Sequence, residues 1–127
     1  MPLLKFDTTL TLSDQDRNTF SDQVTTLYTD KMSTTAGHVA VVIREHQQTA
    51  LSLGRSVDGS LLFLDADIRE GRPLDQKREF ALAVMELAEQ QLGLPEENMK
   101  VVFTEHEGEM MMGKHRIGTA WSANDNE

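Results

Sequence analysis

At 127 residues and 14.3 kDa, the chain is large enough for one domain with a single core and too small for two. A charged fraction of 26% beside an apolar fraction of 39% excludes a disordered composition. The absence of cysteine excludes disulfide scaffolds, thiolate zinc sites and cysteine nucleophiles together, and a formal charge of −9 argues against a nucleic-acid partner.

The elements follow in chain order. Leu3 to Thr8 alternates around Leu4 and Phe6 and predicts a short strand. Ser13 followed by Asp16 predicts a helix start with an acidic first turn, and Phe20, Val24, Leu27 and Tyr28 then recur on one helical face. Past Gly37, Val39 to Arg44 is a β-branched strand, and Leu51 to Leu53 is a candidate for a short extra one before the Asp58-Gly59 turn. The second half replays this order. Leu61 to Ile68 predicts a strand, and Pro73 stands where the first turn of a helix tolerates it. Leu74, Arg78, Ala81, Leu82, Met85, Ala88 and Leu92 are expected to form that helix's inner stripe. Gly93 and Pro95 end the helix, and Met99 to Glu105 is the closing strand. Gly108 to Trp121 is expected to hold a hairpin or a short strand, with Trp121 against a neighbouring subunit, and 122–127 is a polar tail.

Two short matches support an internal repeat. Asp14-Gln15-Asp16-Arg17 returns as Asp75-Gln76-Lys77-Arg78, and Val41 to His46 returns as Val101 to His106. The expected fold is therefore α/β: two β-α-β repeats, about 2–60 and 61–121, forming a four-stranded mixed sheet with two helices on one face. Consecutive apolar positions in Leu61–Leu64 and Val39–Ile43 imply that both faces of those strands are dry, so a homo-oligomer is expected to cover the second. No apolar run approaches the roughly 18 residues of a membrane span and no leader opens the chain. A cytoplasmic location without a membrane partner is expected.

Few residues invite chemistry. Pro2 would carry a free secondary amine once Met1 is removed, and burial or nearby cations would disfavour its charged form. Arg69 and Arg72 stand at the carboxyl end of the third strand, where ligands of α/β sheets commonly bind and where two guanidinium groups suit a carboxylate. A solvated turn, with the arginines paired to Glu70, Asp65 or Asp67, is the competing reading. His46 and His106 are expected to be hydrogen-bonded or solvated rather than metal-bound. Met110, Met111 and Met112 suit an adaptable apolar pocket or an interface.

The stretch from Ile68-Arg69-Glu70-Gly71-Arg72-Pro73 through the helix to Lys100-Val101-Val102-Phe103-Thr104-Glu105 resembles the 4-oxalocrotonate tautomerase subunit. With Pro2 and the doubled β-α-β, the chain resembles a fused, two-repeat member of the tautomerase superfamily. The macrophage migration inhibitory factor and cis-3-chloroacrylic acid dehalogenase groups have that layout. The resemblance implies a homotrimer without a cofactor or metal, acting on a small carboxylate. It implies Pro2, Arg69 and Arg72 as catalytic residues, with Lys100, Tyr28 and Phe103 binding substrate. The dehalogenase group has a histidine at Tyr28, a tyrosine near Val102 and a glutamate near Met111, and none of these is matched, which disfavours hydrolytic dehalogenation. The leading expectation is a tautomerase moving a proton within a 2-oxo or enol acid. A decarboxylase or hydratase with protonated Pro2 as general acid, and a non-catalytic oligomeric binding domain, are the alternatives.

Overall fold

The structure is a computed structural model and describes residues 1–123. Of the expected polar tail, 124–127 lie outside the described residues. Strand β1 (Leu3–Thr8) leads through helix α1 (Asp14–Met32) to β2 (Ala40–Glu45), and β3 (Leu62–Arg69) leads through α2 (Leu74–Leu92) to β4 (Met99–His106). The sheet order is β2-β1-β3-β4. Each outer strand runs parallel to the strand that begins its repeat, and the two inner strands are antiparallel. A two-stranded hairpin, β5 (Met112–Gly113) and β6 (Arg116–Ile117), follows. The expected repeat is thus the architecture itself.

Local chemistry accounts for the boundaries. Ser13 Oγ accepts from the Asp16 amide at 3.0 Å and starts α1. Pro73 stands at the N-cap of α2, one residue ahead of the expected first turn, and Gly93 closes the helix in the left-handed conformation. Leu51–Leu53 forms no strand; a short 3-10 turn over Gln48–Ala50 precedes an irregular connection. That connection is pinned by Asn98, fully buried, which accepts from the Val57 amide and donates to the Val57 and Ser60 carbonyls.

Both helices cover one face of the sheet. Leu4 and Phe6 of β1 and Leu62, Leu64, Ala66 and Ile68 of β3 meet Phe20, Val24 and Tyr28 of α1 and Phe80, Val84 and Ala88 of α2. Phe6 meets Phe20, and Tyr28 meets Phe80, edge to face at 5.1 Å. The inner stripe of α2 is therefore shifted from the expected one. Leu74 is 73% exposed and Leu82 is 48% exposed, because the sheet takes the Phe80–Val84–Ala88 line. Apolar residues lie on more than one side of α2, and periodicity alone did not say which side meets the sheet.

Within one chain the opposite sheet face is uncovered and of mixed character. Its alternate positions carry Lys5, Asp7, Arg44, Asp65, Asp67, Thr104 and His106 among apolar residues such as Val102, which is 46% exposed. Lys5 Nζ bridges Asp65 at 3.3 Å and Asp67 at 2.8 Å, and Arg44 Nε pairs with Asp7 at 3.0 Å. The apolar runs are consecutive in sequence, but the flanking acids turn this face into a network of ion pairs.

Candidate active site

Register decides what meets at one edge of the sheet. Leu3 pairs with Asp67 in the antiparallel β1–β3 ladder, so continuing that ladder sets Pro2 opposite Ile68 and Met1 opposite Arg69. On the other flank of β3, Arg69 pairs with His106. The amino terminus and the carboxyl ends of β3 and β4 thus share one edge. Pro2 is buried there, and its carbonyl accepts from the Ala40 amide at 3.0 Å.

A cleft of about 510 Å³ opens at this edge. Its polar lining is His38, Asp67 and His106; Met1, Pro2, Leu3, Ala40 and the Met110–Met112 run supply the rest. Arg69, only 5% exposed, donates from Nη1 to the Thr119 carbonyl at 3.1 Å. Burial pushes the His38 imidazole below its ordinary value, and the charges of Arg116, the amino terminus and Arg69 push the same way. Two guanidinium groups therefore act electrostatically on the same histidine as the amino terminus.

Arg72 is held differently. Its Nε donates to the Met32 carbonyl, the last residue of α1, at 2.9 Å. Its guanidinium lies over the Tyr28 ring at 5.7 Å and the Trp121 ring at 5.0 Å. Gly71 makes this possible: its φ of +123° suits glycine, and a Cβ there would run into the Trp121 backbone. Trp121 is anchored within its own chain by its backbone, its amide donating to the Glu70 carbonyl at 2.8 Å. Tyr28 lies in the core at 1% exposure, its hydroxyl pushed up to about 12 by burial against the opposing pull of Arg72 and Arg69.

Lys100 and Phe103 do not join Pro2 within the chain. Lys100 pairs with Phe63 near the start of β4, six residues before His106, or about 20 Å along a strand. Both line another cleft with Arg78 and Met85, and Phe103 packs on Phe80 at 6.4 Å between ring centres. Sequence reasoning did not single out Arg116, which the hairpin returns to the terminus, or Asp67. The period-2 alternation of β3 was the available signal for Asp67, since it sets Asp65, Asp67 and Arg69 on one face. Among the described residues, no cluster of three or more potential metal ligands occurs, and no helix is long and apolar enough to cross a membrane.

Residues 63–120 match the family model described as tautomerase enzyme. No curated protein matches the sequence. Solved structures agree over nearly the whole chain. N1, a member of the cis-3-chloroacrylic acid dehalogenase family, is 24% identical with a TM-score of 0.81, over 91% of this chain and 82% of that one. Malonate semialdehyde decarboxylase, described with decarboxylase and hydratase activities, is 20% identical with a TM-score of 0.76, over 90% and 92%. A W0 fused 4-OT, solved as a symmetric trimer, is 17% identical with a TM-score of 0.78, over 93% and 97%. At these identities the likeness is one of fold.

Proposed function

We propose that this chain is a member of the tautomerase superfamily and a cofactor-independent isomerase moving a proton between atoms of a 2-oxo or enol carboxylic acid. The observation that supports this most is the ladder that sets the amino terminus beside Arg69 over a cleft walled by methionines. Removal of Met1, which lies against Gly113, frees the Pro2 nitrogen at the cleft. Arg69 and Arg116 both act on His38, which lines the same cleft, and cationic charge close to an amine disfavours its protonated form and so favours a neutral base. Arg69 takes the substrate carboxylate. Arg72, buried against Tyr28 and Trp121, adds its charge to the developing enolate while bracing the end of α1.

In ketonisation the amine takes the enol hydroxyl proton, and the enolate that forms is held by fixed guanidinium charge in an apolar surround. A homotrimer, the assembly of the fused 4-OT above, would cover the charged sheet face. The test is ketonisation of phenylenolpyruvate by the processed protein, its amino terminus verified by intact mass. Pro2→Ala is expected to lower kcat/KM at least 100-fold, on the scale of a lost general base (about 10²–10⁴). Unchanged turnover in that variant refutes the amine base.

A further inference from the structure

We propose that His106, held by Asp67, is a second proton-transfer group of this cleft, serving the substrate atom that Pro2 does not. The inference rests on the isomerase reading above. His106 and Asp67 both line the cleft with Pro2. His106 Nε2 lies 2.8 Å from Asp67 Oδ1, and Asp67 Oδ2 lies 2.8 Å from Lys5 Nζ. Each carboxylate oxygen thus has its own cationic or N–H partner, which orients Asp67 from two sides. With Nε2–H donating to the carboxylate, the ring keeps Nδ1 for proton exchange, and Nδ1 makes no hydrogen bond among the described residues. The His106 side chain is 37% exposed, so solvent can restore its proton.

The repeat supplies an internal comparison. His46 Nε2 lies 2.7 Å from Asp7 Oδ1, the same pair sixty residues earlier. There, however, Arg44 takes both oxygens of Asp7 through Nε and Nη2, at 3.0 and 3.1 Å. That pair also stands at the far end of β1, where Thr8 meets Leu62 rather than where the amino terminus meets Arg69. A pair that served only to knit the sheet would matter equally in both repeats. Only the second copy shares a cleft with Pro2.

The proton balance closes without a further reactant. In ketonisation, the Pro2 nitrogen takes the enol O–H proton as the oxygen's electron pair forms the C=O bond. The C=C pair takes a proton from the His106 imidazolium, which becomes neutral while Pro2 becomes protonated. Solvent then removes the proton from Pro2 and returns one to His106. The charged and titratable groups facing this exchange are Lys5 from β1, Asp67 and Arg69 from β3, His38 before β2, and Arg116 from the hairpin.

The experiment uses phenylenolpyruvate with the processed full-length protein and the variants His106→Gln, His46→Gln, Asp67→Asn and Pro2→Ala. His106→Gln is expected to lower kcat/KM about 100-fold and to remove a limb of the pH–rate profile. His46→Gln is expected to stay within about twofold of the parent. Asp67→Asn, acting through the imidazole, shifts that limb while binding is kept, and it serves as the second variant if His106→Gln fails to fold. If His106→Gln behaves like His46→Gln while Pro2→Ala is inert, the amine base stands and the role of His106 is overturned. If Pro2→Ala stays active, the isomerase reading falls first and this inference falls with it.

Discussion

Replacing Arg72 by methionine separates support from chemistry. Arg72 is 4% exposed, its Nε donates to the Met32 carbonyl, and its guanidinium lies over two aromatic rings. A hydrogen bond from a charged donor contributes about 1.5–3 kcal/mol, and each desolvated cation–π contact about 0.5–2. Methionine recovers part of the apolar contact, so a net loss of about 3 kcal/mol is expected. For 127 residues, the unfolding entropy near the midpoint is about 0.27 kcal/mol/K, which makes that loss a fall in Tm of about 11 °C. The assay is thermal unfolding by circular dichroism at fixed protein concentration, since an oligomer's Tm depends on it. A shift below about 3 °C would refute the reasoning, because it would mean that the interior placement of this guanidinium stabilises nothing. Arg69→Met provides the contrast. Its hydrogen bond to Thr119 joins two parts of the site edge, and its removal should raise KM for an enol acid more than it lowers Tm.

Further outcomes follow from buried polar groups. Asn98→Ala strands the Val57 amide and two carbonyls, and a loss of about 3 kcal/mol is expected in urea unfolding; a loss under about 1 kcal/mol contradicts the pinning role. Burial alone would raise the Asp67 carboxyl, but hydrogen bonds and charge from Lys5 and His106 outweigh it and hold the group below its ordinary 3.8. A carboxyl lowered on folding stabilises above its unfolded value and loses that contribution as pH falls through the folded one. The stability gap between the parent and Asp67→Asn should therefore be open at pH 7 and close below about pH 3.8. A gap that persists unchanged to pH 2 contradicts the assignment.

Local signals were legible wherever one residue type has one physical use. Ser13 capped its helix, Gly93 took the left-handed position, Val41-Val42-Ile43 made a strand, and the offset repeats foretold two β-α-β units. The inner stripe of α2 was misassigned because apolar residues lie on several of its sides and only the sheet selects among them. Of the candidate site, residue types and their places along the chain were legible. Pro2, Arg69 and Arg72 stand out by type and place, yet nothing local distinguishes an arginine bonded to the Thr119 carbonyl from one laid against Tyr28 and Trp121.

What the sequence determined alone is the order of elements and the chemistry available to them, because propensity, capping and periodicity act over a few residues. The tertiary structure decided which groups meet. The antiparallel ladder carries the amino terminus to Arg69, the parallel one carries His106 to the same edge, and the hairpin returns Arg116. Those encounters span tens of residues and are set by strand register, which shifts every partner together and leaves no mark on any short segment.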